Sequence, residues 1–276
     1  MKYLLTLLLL ALSLYATASG NLSGHVTLAV QAENRNDLPG AILHYKNALE
    51  KRLNKNSRIE ILNNIGVLYF KLKNYSSAIQ AFNRCRELDE TNALVWNNLG
   101  LCYEKTGKNS EAEKAYLYSI QLKTDYTDPY INLLNLYYVK GDYRAALNIG
   151  KKLLRIEPFV PHVLHGLGQI CLKMQDTENA RLFFEETAAI DSGYENSLLE
   201  LAAIYFDRKD RENFIRVAKG ILVIQPREEI YIALAYTYFE MNQFRVAHQY
   251  IQKALETTPD NRSEERRVGK ECRSRW

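Results

Sequence analysis

A chain of 276 residues, 47% hydrophobic and 25% charged, has the balance of a soluble globular protein and the length of one large domain or two ordinary ones. Thirteen glycines and six prolines exclude a disordered or collagen-like chain, and four cysteines exclude a disulfide-built scaffold. Lys and Arg total 36 against 32 Asp and Glu, a net +4 that on its own points to a nucleic-acid or anionic-membrane partner.

The chain opens with the form of a secretory signal peptide over residues 1–18. Lys2 is the positive n-region, Tyr3 to Tyr15 is an uncharged apolar run, and Ala16, Thr17 and Ala18 are the small residues a signal peptidase reads. The run is shorter than the roughly 20 apolar residues of a membrane helix, so an uncleaved N-terminal anchor is the weaker alternative. With no Cys before Cys85, a lipid-modified cysteine after cleavage is excluded. The expected mature chain starts near Ser19, is periplasmic or secreted, and has no membrane span after cleavage.

From residue 22 the chain repeats. An Ala, an aromatic or large apolar residue four later and a small residue seven later recur as Ala41/Tyr45/Ala48, Ala78/Phe82/Cys85, Ala112/Tyr116/Ser119, Ala180/Phe184/Thr187 and Ala247/Ile251/Ala254. Ahead of each stands a second signature: Leu62/Ile65/Gly66/Tyr69, Trp96/Leu99/Gly100/Tyr103, Tyr130/Leu133/Leu134/Tyr137, Leu164/Leu167/Gly168, Leu198/Leu201/Ala202/Tyr205 and Tyr231/Leu234/Ala235/Tyr238. The units run 22–58, 59–92, 93–126, 127–160, 161–194, 195–227 and 228–261, most of them 34 residues long. Both signatures have helical spacing, and breakers fall in phase between them: Gly107, Gly141-Asp142 and Gln175-Asp176 within units, and Pro158, Pro226 and Pro259 between them. No segment alternates with period two over a strand's length.

This pattern resembles the tetratricopeptide repeat (TPR) family, whose unit is a 34-residue helix–turn–helix. The first unit is degenerate, with Leu28 and Ala29 where Leu-Gly is expected. The resemblance implies an all-α TPR solenoid over residues 19–261, a right-handed superhelix of about seven units in which neighbours complete one another's cores. Tyr69, Tyr103, Tyr137, Tyr205 and Tyr238 then become packing residues, as do Cys85 and Cys171, with Cys102 beside a packing position. A Cys85–Cys102 disulfide and buried free thiols are both open, and the packing positions favour the thiols.

The resemblance also implies that the first helices line a concave face that binds extended peptides. Their sixth position carries Asn64, Asn98 and Asn132 before the row stops at Gly166. Asparagine is a mediocre helix former, and its amide carries two donors and an acceptor suited to a peptide main chain. The row is similar to the asparagine ladder of O-linked N-acetylglucosamine transferase. The competing assignment is hydrogen bonding between repeats. Asn63, Asn97, Asn135 and Gln169 add amides nearby, Lys71 and Lys105 add charge, and Tyr138 adds an apolar surface. The carboxylate clamp of co-chaperone repeats is unmatched, because Asp128 with Asn132 and His162 with Gly166 stand where Lys and Arg are needed. His162 and His165 share a helical face without a completing ligand, so neither a metal nor a cofactor is expected. No phosphate loop, His-Glu-x-x-His or nucleophile elbow occurs.

Residues 262–276 have no periodicity and resemble the conceptual translation of a DNA-sequencing adapter, so they are set apart as a non-native tail. Removing the six basic and three acidic residues of that tail, together with Lys2, leaves 29 of each sign. The charge argument for a nucleic-acid partner disappears. The expected function is a non-catalytic scaffold, exported from the cytosol, that binds a protein or peptide segment in the groove. The alternative is an N-terminal targeting region of a truncated larger enzyme, or an envelope-assembly factor. An uncapped final helix, exposing Ile251 and Leu255, is expected to drive self-association.

Overall fold

The computed structural model describes residues 24–257, within which there are fourteen α-helices and no strand. The signal segment 1–18 and the tail 262–276 lie outside the described residues. The helices alternate as first and second members of hairpins: α1 (Gly24–Asn34) with α2 (Leu38–Leu49), α3 (Lys55–Lys71) with α4 (Tyr75–Leu88), α5 (Ala93–Lys105) with α6 (Asn109–Leu122), then α7 (Asp128–Lys140) and α8 (Tyr143–Ile156). There follow α9 (Pro161–Lys173) with α10 (Thr177–Ile190), α11 (Glu195–Asp207) with α12 (Arg211–Ile224), and α13 (Glu228–Glu240) with α14 (Phe244–Thr257). Two compact bodies divide between Lys140 and Gly141, so α1–α7 form the first and α8–α14 the second.

One turn design joins the two helices of a repeat. Asn36, Lys73, Gly107, Gly141, Gln175, Lys209 and Asn242 all have positive φ, between 57° and 78°. A residue in this left-handed region ends the first helix, and the following N–H reaches five residues back. Lys108 N–H thus bonds Tyr103 O at 2.9 Å, Asn74 bonds Tyr69, Asp176 bonds Cys171, and Asp210 bonds Tyr205. That same following residue caps the second helix. The side chains of Asp37, Asn74, Asp142, Asp176 and Asp210 each accept from the backbone N–H three residues later. One dipeptide therefore closes one helix and opens the next. In the second repeat α3 begins at Lys55, ahead of the boundary drawn at residue 59, because Asn54 caps it through Ser57 N–H at 2.8 Å.

Within a hairpin the second helix lays an aromatic ring on the backbone of the first. An added Cβ would fall 2.5 Å from the ring of Phe82 at Gly66, 2.5 Å from Tyr116 at Gly100 and 2.4 Å from Phe184 at Gly168. No side chain fits there without displacing the ring, so glycine sets the approach distance. Where the first helix carries Ala202 or Ala235, the residue sixteen later is Ala218 or Ile251 instead of a ring. In the first repeat Ala29 and Tyr45 share one core cluster with Ile61, Ile65 and Leu68. Ala41, Ala78, Ala112, Ala146, Ala180 and Ala247 are wholly buried, as the repeated small position requires.

Each body has its own core. In the first, Ile59, Leu62, Phe82, Val95 and Leu99 enclose Cys85 and Cys102. Both cysteines, like Cys171 in the second body, are buried free thiols rather than a disulfide. Burial pushes the Cys85 and Cys102 thiols up to about 12. In the second body, Phe184, Leu201, Tyr205, Phe214, Ile221 and Leu234 form one cluster. The tyrosine packing expectation holds with a difference in degree, and one exposure expectation needs correction. Tyr69 and Tyr103 are half-buried and packed against the first body's cores, Tyr137 is half-buried with its hydroxyl donating to Glu113 Oε1 at 2.9 Å, and Tyr205 and Tyr238 are buried. Ile251 is 3% exposed, held inside the α13–α14 hairpin, so the exposed apolar face expected on the last helix reduces to Leu255 at 36%.

Lys73 and Lys209 hold the left-handed turn position at a cost that glycine avoids. Lys73→Gly and Lys209→Gly are each expected to raise stability by about 0.5–1 kcal/mol, after glycine's own entropic cost. Urea unfolding of each single variant measures this.

Candidate functional site

The asparagines singled out in the sequence lie on α3, α5 and α7, the first helices of three successive repeats in the first body, and α5 packs against both α3 and α7. Their amides bond one another across repeats. Asn98 Nδ2 donates to Asn63 Oδ1 at 3.0 Å, and Asn132 Nδ2 donates to Asn97 Oδ1 at 2.9 Å. Each bond spans 35 residues, one more than the repeat, so the sixth position of one repeat reaches the fifth position of the one before. Asn97 Nδ2 in turn donates to the Tyr126 hydroxyl at 3.3 Å, which donates to Asp128 Oδ2 at 3.0 Å. Burial first, and then Asp128, holds the Tyr126 hydroxyl well above its ordinary range.

The clasp ends where its sequence ends. Thirty-five residues before Asn64 stands Ala29, which offers no acceptor. Asn64 Nδ2 goes instead to the Tyr45 hydroxyl at 3.4 Å, which donates to Glu33 Oε1 at 2.8 Å. Asn64 Oδ1 stays buried without a hydrogen-bond partner.

Asn63, Asn97 and Asn98 are 7%, 3% and 8% exposed, enclosed between helices. Asn64, Asn132 and Lys71 are half-buried. Asn135 is exposed, Tyr138 is at the edge of exposure, and Lys105 is exposed with Glu104 3.8 Å away. In the second body Gln169 is half-buried and donates to Glu200 Oε1 at 2.7 Å.

First-helix clasps of other composition tie the second body. His165 Nδ1 lies 2.9 Å from Ser197 Oγ, with its ring against Phe184 and Tyr194 at centroid distances of 5.4 and 5.2 Å. Burial lowers the His165 pKa, and Glu200 opposes that shift. Arg227 Nε donates to Glu195 Oε1 at 2.7 Å. Ser197, Glu200 and Tyr126 carry these bonds and were not singled out in the sequence; the signal available for the amides was the recurrence of Asn at an offset of 35. Among the described residues no three His, Cys, Asp or Glu side chains converge as a metal site, and no helix is long and apolar enough to cross a membrane.

The second body also holds a cleft of about 240 Å³ where the ends of α11 and α13 meet the start of α12. Phe206, Phe214 and Tyr236 wall it, with Asp207, Lys209, Arg211 and Glu240 at its polar side.

Comparison with known proteins follows the same periodicity. The tetratricopeptide repeat pattern matches residues 59–92, 93–126, 161–193 and 228–261. The chain is 26% identical over 137 residues to the TPR repeat-containing protein YpiA of Bacillus subtilis, covering 49% of this chain and 32% of YpiA. It is 25% identical over 170 residues to the human protein O-mannosyl-transferase TMTC1, covering 59% of this chain and 19% of that protein. The chain thus spans a third or less of either relative. Among solved structures, the C-terminal part of a TPR repeat-containing protein of Cytophaga hutchinsonii superposes with a TM-score of 0.69 at 19% identity, covering 87% of this chain and 97% of that one.

If the amides clasp the repeats, Asn98→Ala strands a buried acceptor on Asn63 and costs about 1–3 kcal/mol. A double-mutant cycle of Asn63→Ala with Asn98→Ala is expected to return a coupling of about 1 kcal/mol in urea unfolding, where unlinked side chains would add.

Proposed function

The chain belongs to the tetratricopeptide repeat family, whose members are generally non-catalytic protein-interaction scaffolds, and from that premise we propose that it docks an extended segment of a protein partner along its first helices. The observation that carries this reading is the arrangement in the first body. Lys105, Asn135 and Tyr138 are exposed on α5 and α7, the helices whose buried and half-buried amides bond across repeats. An Asn amide has two N–H groups and two lone-pair sites, and each clasp bond uses one. The half-buried Asn132 therefore keeps capacity for a peptide main chain while it joins repeats. Lys71 and Lys105 supply positive charge for acidic side chains along the same segment, with Tyr138 supplying an apolar surface.

Docking is measured by capture. The chain carrying Lys105→Glu, Asn135→Ala and Tyr138→Ala together is expected to lose the partner that the unaltered chain retains from its source extract. All three positions lie at or near the surface, so unfolding should shift by no more than about 1 kcal/mol in total. Undiminished capture overturns the reading.

A second reading has its own support, since one relative is an O-mannosyl-transferase that this chain matches over 19% of its length. On that reading the repeats are the partner-targeting region of a larger enzyme or of an envelope-assembly factor. An open reading frame continuing into a catalytic domain in the source DNA would select it.

Export from the cytosol belongs to the same proposal and rests on the Lys2, Tyr3–Tyr15 and Ala16–Ala18 pattern. Protein recovered from the periplasm or the medium is expected to begin near Ser19 by N-terminal sequencing. Full-length protein confined to the cytosol overturns it.

A further inference from the structure

The cleft beside the α11–α12 turn has an under-used cation in an aromatic setting. Phe206 and Tyr236 are 38% and 45% exposed, their ring centroids 6.0 Å apart and their planes inclined at 49°. Phe214 is buried behind them, edge-on to Phe206 at 5.2 Å. These are large apolar surfaces left in contact with water.

Arg211 stands at the polar side, and its guanidinium is less fully bonded than those of Arg181 and Arg227. Arg181 bonds both Glu178 and Glu185, and Arg227 holds Glu195 through two nitrogens. The printed bond of Arg211 is a long 3.4 Å from Nη2 to Glu240 Oε2, and its Nε is buried with no acceptor. A guanidinium carries five N–H donors in a fork that suits a carboxylate. Glu240 meets that fork only through Oε2, and its Oε1 accepts from the Tyr236 hydroxyl at 3.1 Å. Asp207 and Glu240 balance Lys209 and Arg211 in charge here, and the unmet group is the Arg211 donor, beside a surface that lacks an apolar cover.

We infer that this cleft is a recognition site for a bulky apolar side chain flanked by an acidic side chain on an extended partner segment. Two residues apart on an extended chain, such side chains point the same way about 7 Å from each other. The apolar one covers Phe206 and Tyr236, and the carboxylate takes Arg211, with Lys209 beside it. The volume, about 240 Å³, lies below the range of small-molecule pockets and suits side chains of a peptide. Both outer rings face solvent, so the segment can enter and leave on either side of the cleft. This inference rests on the scaffold reading and adds the chemistry of the partner. It places the contact in the second body, away from Lys105, Asn135 and Tyr138.

The test titrates the full chain with a fluorescein-labelled, C-terminally amidated peptide, Gly-Ser-Ser-Phe-Ser-Asp-Ser-Gly-Gly, read by anisotropy. Replacing the peptide's Phe by Ala or its Asp by Asn, or making Arg211→Gln in the chain, is expected to weaken binding about tenfold. Glu240→Gln removes a like charge and frees the guanidinium, so it is expected to tighten binding about threefold, which a merely structural role for the pair would not do. Equal binding to Arg211→Gln, or tighter binding when Lys replaces the peptide's Asp and so favours Asp207 and Glu240, overturns the inference. Tighter binding by a peptide that ends in a free-carboxylate Phe overturns the internal segment in favour of a chain terminus. If Arg211→Gln leaves peptide binding unchanged while the Lys105, Asn135 and Tyr138 variant still loses its partner, the cleft fails alone and the scaffold reading stands.

Discussion

The rings of Phe82, Tyr116 and Phe184 lie against Gly66, Gly100 and Gly168, and this contact sets how near the two helices of a repeat can come. The remaining geometry follows from that distance. It decides that the facing residues one turn away must be small, which is met by the wholly buried Ala78, Ala112 and Ala180. It also fixes the direction of the turn, since a close antiparallel pair leaves room for one left-handed residue and one cap between helices. Small residue, ring and turn residue form one constraint held within half a repeat, from Gly66 to Phe82 in the second. Dispersion contacts of this kind are individually weak, so their value lies in number and in the absence of gaps.

Between repeats the bonding is polar as well as apolar. A row of leucines at the fifth and sixth positions would also exclude water, but it would tolerate sliding. Buried amides do not, because a shift of one residue leaves donors and acceptors unpaired at a cost of about 1–3 kcal/mol each. The pair Asn98–Asn63 and the pair Asn132–Asn97 accordingly hold register as well as contributing energy. The second body reaches the same end with His165 and Ser197, and Gln169 and Glu200. Composition varies, and the bonding of first-helix polar side chains to the neighbouring repeat persists. Asn64, with Ala29 thirty-five residues before it, has no clasp partner in the degenerate first repeat, and its Oδ1 stays unpaired.

The architecture was legible in the sequence because each of its causes is local and recurs: Ala and ring at i and i+4, Gly before a tyrosine, Gly-Asp or Gln-Asp at the turn. The partnering of the amides was not legible to the same degree. Periodicity says that Asn64, Asn98 and Asn132 share a position, but whether an amide meets a peptide or the neighbouring repeat depends on an offset of 35 rather than 34. That single residue of slant comes from how consecutive first helices pack. Ile251 was misplaced for a related reason, since helical spacing assigns it to an apolar face without saying which of two neighbours covers it. The Arg211 cleft left no periodic trace, because Phe206, Arg211 and Tyr236 come from three helices and only their packing brings them together.

The three thiols enclosed in the cores bear on where such a chain can work. Burial holds the Cys85 and Cys102 thiols well above their ordinary range and so disfavours the thiolate, the species that reacts. Cys85 is further occupied in donating to Ile59 O at 3.4 Å. Oxidant, glutathione or disulfide exchange can reach these sulfurs only after the repeat that holds them has opened. The folded repeats are in that sense blind to redox potential: a molecule folded in a reducing environment and one folded in an oxidising environment have the same covalent core.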